Sequence, residues 1–247
     1  MSGAAMLWLV LRIRRGSHAG GGNWPSACAL FLYAAAFSFA YVSLPAATGA
    51  LLLFGAVQGT MIAYGLRSGE RLSGWQAAGL LLAFGGLVGL LLPGLSAPPL
   101  VGSVLMLGAG AAWGIYSLRG RGAGDPIAVT TGNFLRAAPL AAALGVLMFK
   151  SVSLGFGGFW YAAASGALAS GLGYAIWYTA LPALKATHAA TVQLSVPVIA
   201  ALGGILFLGE VLTLRWVLAS AAILGGIALV ILEKGQAEPG KMSPGRQ

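Results

Sequence analysis

Arg136 is the ionisable residue that lies deepest within any of the long apolar runs of this chain. It is nine residues beyond Ile127, where its run begins, and therefore about 13 Å along a helix. An arginine at that depth in a bilayer costs roughly 2.5–3.5 kcal/mol, so its side chain must face a cavity or a partner. The apolar runs contain no carboxylate. The guanidinium is therefore predicted to hold a substrate anion or polar group in a pocket, together with Asn133 one turn earlier on the same face. The alternative is a structural arginine that reaches the membrane surface and binds backbone carbonyls at helix ends.

Aromatic residues recur at helical spacing in two of the apolar runs. Tyr174, Trp177 and Tyr178 occupy positions i, i+3 and i+4 and therefore share one helix face. Such a face can line a pocket for organic molecules or cations. It can equally form part of the aromatic belt at a membrane surface, or simply pack. Trp113 and Tyr116 present the same alternatives.

Gln193 is a polar residue within another apolar run, and Pro197 follows four residues later. A proline leaves the carbonyl of the residue four positions earlier without its helical donor. Interrupted helices build binding sites in membrane transporters. Gln193 is therefore a further candidate for a binding site, although the sequence does not decide between this role and ordinary packing.

The sequence contains no recognisable set of catalytic or metal-binding residues. The chain has only five acidic residues, two histidines far apart and the single cysteine Cys28. These exclude an internal disulfide and a cysteine metal cluster, and no cofactor is predicted. Glu70 and Glu210 each follow a glycine and are expected to begin helices, where a carboxylate is favourable. A membrane-embedded enzyme is therefore disfavoured, and no acid is available within a span for proton coupling.

The composition is that of a membrane protein. Of the 247 residues, 58% are hydrophobic and only 8% are charged, whereas a soluble domain carries roughly 25% charged residues. The net charge of +9 comes from basic residues scattered singly between apolar runs. This pattern argues against nucleic-acid binding and is typical of the loops of a membrane protein.

Eight apolar windows are long enough for spanning helices of about 20 residues. Glycine and alanine recur throughout these leucine-rich windows and would allow close helix packing in lipid. The strands of a β-barrel would instead alternate polar and apolar residues over shorter segments, so helices are favoured. The sequence thus predicts an all-α integral membrane protein in a lipid bilayer, with about eight spans and a partial one. The partial span is the short apolar stretch from Met1 to Leu11, whose beginning is interpreted as absent. The windows are 26–44, 47–66, 74–92, 100–118, 127–149, 158–181, 187–208 and 214–232.

The basic residues alternate between the two sides of the predicted membrane. One side has eleven of them and the other has only Lys150 and Arg215. The first side is predicted to be cytoplasmic because cytoplasmic loops are enriched in lysine and arginine. It also holds the C-terminus, in what we interpret as the inner membrane of a bacterium. The eleven are Arg12, Arg14, Arg15, Arg67, Arg71, Arg119, Arg121, Lys185, Lys234, Lys241 and Arg246.

Two stretches of the chain are diverged copies of one another. The string from Tyr41 to Pro45 recurs from Tyr178 to Pro182, and Gly69-Glu70 recurs as Gly209-Glu210. Five predicted spans separate the two Gly-Glu pairs, and this odd number places the copies in opposite orientations. The sequence therefore predicts two inverted-topology repeats, which favour alternating access in a transporter.

The chain resembles the EamA-type permeases of the drug/metabolite transporter superfamily. The resemblance lies in Tyr174-Ala-Ile-Trp-Tyr178, Gln193-Leu-Ser-Val-Pro-Val198, Leu208-Gly-Glu210 and Ala111-Ala-Trp-Gly-Ile-Tyr-Ser117. It extends over nearly the whole chain and implies ten helices in two inverted sets of five, with both ends cytoplasmic. By comparison with that pattern, the first helix and part of the second are expected to be missing here.

These observations divide the chain into five predicted parts. They are a partial helix with a basic loop (1–25), the remainder of the first repeat with its last helix (26–118), an inter-repeat loop (119–126), the second repeat (127–232) and a disordered cytoplasmic tail (233–247). The expected function is a permease that moves a small organic metabolite or drug-like molecule by alternating access. The alternatives are a truncated membrane protein that does not transport and, less favoured, a membrane-embedded enzyme.

Overall fold

The structure is a computed structural model that describes residues 1–13, 21–92, 98–121, 124–151, 155–208 and 211–233. Within these ranges the chain is helical and contains no strand, which confirms the all-α prediction. A π-helical segment, Ser165–Leu172, connects α7 to α8 without a break. The helices are α1 (Ser2–Ile13), α2 (Trp24–Ala40), α3 (Ala46–Arg67), α4 (Gly74–Leu91), α5 (Leu100–Gly120), α6 (Pro126–Leu147), α7 (Phe156–Ala164), α8 (Gly173–Ala180), α9 (Ala186–Val192), α10 (Ser195–Leu208) and α11 (Leu214–Leu232).

Six helical stretches in the described ranges are long and apolar enough to cross a membrane. They are α3, α4, α5, α6, the run from Ala186 to Phe207 and α11. The predicted window 26–44 corresponds to α2, which has 17 residues. The window 158–181 corresponds to the continuous run of α7, the π segment and α8. The chain is therefore an integral membrane protein.

Side-chain caps fix where several of these helices begin. The Asp125 carboxylate accepts a hydrogen bond from the Ile127 amide, and Pro126 follows as the first helical residue. Ser73 caps α4 in a reciprocal capping box with Gln76. The expectation that Glu70 begins this helix is therefore wrong, because Ser73 supplies the cap and α4 starts at Gly74. The matching expectation for Glu210 falls outside the described residues.

The chain divides into two compact units. The first unit comprises residues 1–65 and 94–190. Its core includes the fully buried side chains of Met61, Met106 and Tyr116. Gly110 and Gly114 on α5 allow α3 to approach closely, since a Cβ atom at Gly110 would lie 2.6 Å from the Leu53 carbonyl oxygen. Small residues at such contacts are a common means of helix packing within lipid.

The second unit comprises residues 66–93 and 191–247. Its main contact joins α4 to α11 through glycines at the helix crossing. A Cβ atom built at Gly79 would lie 2.7 Å from the carbonyl oxygen of Gly226. At one end of the pair, the Ser73 hydroxyl donates to the Glu233 carboxylate. The two helices are therefore held both by backbone proximity and by a polar contact at the start of α4.

Candidate substrate site

Eight aromatic rings of the first unit form a continuous group, in which Phe37 and Tyr41 are the outermost members. The other six rings come from four helices and are here called the aromatic cluster. Tyr174 is its centre, with ring-centroid distances of 5.1 Å to both Trp113 and Phe134. Tyr116 and Tyr178 form an edge-to-face pair at 5.2 Å, and Tyr33 lies 5.0 Å from Trp113. The structure therefore brings together four residues that the sequence analysis selected, from α5 and α8.

Trp177 lies beside this group rather than in its chain of ring contacts. It follows Tyr174 by one turn and is half-buried against the core of the first unit. Its indole nitrogen is buried and has no hydrogen-bond partner. The i, i+3, i+4 pattern thus marks a helix face that packs against the core, and the Tyr178 side chain is only 2% exposed.

Four buried polar atoms around the aromatic cluster lack a hydrogen-bond partner. They are the hydroxyl oxygens of Tyr116, Tyr178 and Ser117 and the indole nitrogen of Trp177, here called the unpaired polar set. The Tyr116 and Ser117 side chains are 1% and 0% exposed. Each buried polar atom without a partner costs about 1–3 kcal/mol. Such atoms in a native protein require an explanation, and a bound ligand or water is one that restores the missing bonds.

Asn133 lies at the edge of the unpaired polar set. The Asn133 and Tyr178 side chains are within reach of the Tyr116 hydroxyl, and Ser117 is within reach of the Tyr178 hydroxyl. None of these pairs forms a hydrogen bond of acceptable geometry. The Asn133 side-chain oxygen instead accepts a 2.9 Å hydrogen bond from the backbone amide of Asn23. Asn133 therefore connects the aromatic cluster to the start of α2.

Arg136 has partners of a different kind. Its Nη1 atom donates to the carbonyl oxygens of Gly21 and Gly132, both at 2.9 Å. Gly132 permits this arrangement, because a Cβ atom there would overlap the Gly21 carbonyl oxygen. The guanidinium thus fastens the backbone that precedes α2 to α6. These contacts favour the structural role for Arg136 over the pocket role.

A second arginine strengthens the same attachment. Arg119 donates from Nε to the Ser26 hydroxyl at 2.9 Å and from Nη2 to the Asn23 side-chain oxygen at 3.1 Å. The Asn23 oxygen also caps α2 by accepting from the Ser26 amide. We call these contacts of Arg119, Asn23, Ser26, Asn133 and Arg136 the anchoring network. It joins α2, α5 and α6 at the end where α2 and α6 begin.

Gln193 belongs to the second unit and occupies an interruption between two helices. α9 ends at Val192 and α10 begins at Ser195. The Gln193 carbonyl accepts a hydrogen bond from the Val196 amide at 3.1 Å, as expected where Pro197 cannot supply the usual donor. The Gln193 side chain is buried, with 6% exposure. The predicted helix interruption is therefore present.

Sequence reasoning overlooked Gln58 and Ser117, two buried residues of the first unit whose side-chain oxygens have no hydrogen-bond partner. Gln58 on α3 donates from Nε2 to the Ala190 carbonyl at 2.7 Å, and its side-chain oxygen has no partner. Ser117 completes the unpaired polar set. The signal used for Gln193, a polar side chain within an apolar run, also applies to Gln58 and would have found it.

An apolar cavity of about 200 Å³ adjoins the aromatic cluster. Tyr174 and Phe134 contribute to both features. Most of the remaining wall is alanine and glycine, with Ser170 from the π segment as a polar contributor. In the described ranges, no three histidine, cysteine, aspartate or glutamate side chains come together as metal ligands.

Comparison with known proteins agrees with this architecture. The chain is 60% identical over 231 residues to an uncharacterised protein of Pseudomonas aeruginosa, covering 93% of this chain and 80% of that one. It is 35% identical over 128 residues to the threonine/homoserine exporter RhtA of Escherichia coli K12, covering 51% of this chain and 43% of the exporter. A crystal structure of another protein shares the fold with a TM-score of 0.79 at 22% identity, covering 94% of this chain and 84% of that one.

The family assignment rests on the sequence match over the part of the chain that contains most of the aromatic cluster. Residues 100–232 match the EamA-like transporter family. This range begins with α5 and ends with α11, and it includes Trp113, Tyr116, Tyr174 and Tyr178. The match confirms the resemblance found in the sequence, and the chain belongs to the EamA-like transporter family.

Proposed function

We propose that this protein is a permease that moves a small polar organic molecule across the bilayer and binds it at the aromatic cluster. The observation that carries the proposal is the unpaired polar set: four buried donors and acceptors beside aromatic rings, all lacking protein partners. A substrate that bonds to these groups would regain the free energy lost when they are buried. Water could restore the same hydrogen bonds, but an organic substrate could also pack against the ring faces.

The chemistry of the site favours a neutral or zwitterionic substrate of amino-acid size. The unpaired polar set contains three hydroxyl groups and one indole N–H, and none carries a charge near neutral pH. These groups can bond to a hydroxyl, carboxylate or amino group, while the rings contact an aliphatic chain or a cation. The name of the exporter RhtA points to threonine and homoserine, which have this character. We therefore propose a hydroxylated or similarly polar amino acid as the first substrate to test.

Alternating access is the transport mechanism we propose. Its support is the repeated sequence strings, with an odd number of spans between the Gly-Glu pairs, because two inverted halves can exchange conformations. The topology we propose has eight spans and a partial one, with the C-terminus in the cytoplasm and the protein in the inner membrane of a bacterium. The loop 119–126 would separate the two repeats, and the helix interruption at Gln193 would be of the kind that builds binding sites in transporters.

Transport by the purified chain in proteoliposomes tests the proposal. We expect uptake of labelled threonine or homoserine, and we expect Tyr116→Phe and Tyr178→Phe each to reduce the rate several-fold. Each change removes one hydroxyl and keeps the ring, so the loss corresponds to one hydrogen bond of about 0.5–1.5 kcal/mol. The matched control is Tyr161→Phe, since Tyr161 is 80% exposed on α7.

The stability of the same variants separates binding from folding. Tyr116→Phe removes a buried hydroxyl that has no protein partner, so the melting temperature should stay constant or rise. Equal transport by the parent protein and both tyrosine variants, for every amino acid in a broad panel, would contradict a substrate site at the aromatic cluster. A lower melting temperature in proportion to lost transport would assign the hydroxyls a structural role.

A further inference from the structure

The second unit contains an apolar groove between α4 and α11 that the proposed transport site does not use. The groove has a volume of about 640 Å³ and lies between Leu81 and Gly89 on α4 and between Leu214 and Ala222 on α11. Its walls are leucine, glycine and alanine residues, and Arg215 supplies the charged group. Nothing lies within 4 Å of a Cβ atom built at Gly85 or Gly89, so these positions are open.

The length of the groove is close to the thickness of a single leaflet of the bilayer. Its α11 wall begins at the first residue of the helix, Leu214, and extends eight residues to Ala222. Eight residues of α-helix rise about 12 Å, compared with about 15 Å for half of the hydrocarbon thickness. The groove therefore extends from one membrane surface almost to the middle, which suits an acyl chain that enters from that surface.

Arg215 gives the open end of the groove a preference for an anion. Its side chain is exposed and lies in the first turn of α11, where a cation is electrostatically unfavourable because the helix dipole is positive there. Within the ranges that the structure describes, its guanidinium forms no hydrogen bond or ion pair. A phosphate at this point would interact favourably with both the guanidinium and the helix start.

We propose that this groove binds one anionic phospholipid, with an acyl chain along the glycines of α4 and the phosphate at Arg215. Basic groups beside clefts between membrane helices recognise anionic lipid headgroups in this way. The depth of the groove fits one leaflet, and its single cation fits one phosphate. The proposal depends on membrane insertion of the chain and is independent of the substrate.

Native mass spectrometry of the purified full chain tests the proposal with phosphatidylglycerol and phosphatidylcholine as probes. We expect phosphatidylglycerol to bind about five-fold more tightly, as one arginine near a membrane surface provides. Arg215→Gln should abolish this preference. Lys150→Gln should leave it intact, because Lys150 is the matched cation predicted on the same side and lies in the other unit. Retention of the full preference in Arg215→Gln would overturn the proposal.

A second pair of variants tests the groove itself. Gly85→Leu should fill the groove and reduce binding of both lipids. Gly59→Leu on α3 is the matched control and should leave lipid binding unchanged. At both positions no atom lies within 4 Å of the added Cβ atom, so neither substitution creates a steric clash there. Unchanged lipid binding in Gly85→Leu would overturn the proposal. Dimers of the parent protein that Gly85→Leu dissociates would also overturn it, since the groove would then hold a second copy of the chain.

Discussion

Arg136 and Tyr116 are both polar residues within long apolar helices of the first unit, yet their polar atoms have opposite surroundings. The Arg136 guanidinium donates to two backbone carbonyls, whereas the buried Tyr116 hydroxyl has no partner. Arginine has a long flexible side chain that can reach backbone groups at a helix end. A tyrosine hydroxyl is fixed at the tip of a rigid ring.

The polar groups around Arg136 and those around Tyr116 differ in the same way. The anchoring network connects its members through hydrogen bonds of 2.9–3.1 Å, and it joins three helices. Two members of the unpaired polar set, Tyr116 and Ser117, lie on α5 less than one turn before Arg119, among aromatic rings. We conclude that hydrogen-bond state, rather than depth in a span, distinguishes a residue that holds the fold from one available to a ligand.

The largest effect should follow from Arg136→Ala, which breaks the anchoring network. Loss of the two bonds from a charged group should lower the free energy of unfolding by about 2–3 kcal/mol and reduce abundance in the membrane. Thermal unfolding of the purified variant measures this change. The stability of Arg136→Lys should lie between that of the parent protein and that of Arg136→Ala, since the charge remains but the planar geometry is lost. A variant that folds normally and does not transport would instead restore the pocket role predicted from the sequence.

Gly132→Ala should disturb the same network by steric overlap. The added methyl group would overlap the Gly21 carbonyl oxygen, so the backbone before α2 must move, at a cost of about 1–3 kcal/mol. Gly145→Ala is the matched control in the same helix, because no atom lies within 4 Å of its added methyl group. Thermal unfolding should separate the two variants clearly. Equal melting temperatures would show that the anchoring network tolerates displacement.

Asn133→Ala should affect both regions, since Asn133 bonds to the Asn23 amide and lies near the Tyr116 hydroxyl. We expect a loss of about 1 kcal/mol in stability and a several-fold loss of transport. A double-mutant cycle with Tyr116→Phe should show coupling in transport but little in stability. Additive effects on transport would remove Asn133 from the proposed substrate site.

The smallest effect should follow from Ser117→Ala. The substitution removes a fully buried hydroxyl without a partner, so the melting temperature should stay constant or rise slightly, while transport decreases a few-fold. Ser38→Ala is the control, because that hydroxyl is exposed and donates only to the Ala34 carbonyl of its own helix. A destabilised Ser117→Ala protein would place the hydroxyl in a structural contact and weaken the comparison.

The helices could be predicted from the sequence because length and apolar composition are local properties. The window 74–92, for example, differs from α4 by one residue. Helical spacing likewise placed Tyr174 and Tyr178 on one helix face, and their ring centroids lie 6.2 Å apart. The Arg136 contact with Gly21 could not be predicted, since the two residues are 115 positions apart and meet only through packing. The same holds for the missing partner of Tyr116, because an absent bond depends on the arrangement of every neighbouring helix.

The π segment has a consequence for chain length in this family. A turn closed by a hydrogen bond to the fifth residue holds more residues than an α-turn, so the run from Ser165 to Leu172 contains surplus chain. In an α-helix, one inserted or deleted residue turns everything beyond it by about 100°. Conversion between π and α geometry absorbs such a change before it reaches Tyr174 and Tyr178. Insertions and deletions among related transporters are therefore expected here, at the one place in this helix where they leave the aromatic residues facing the same way.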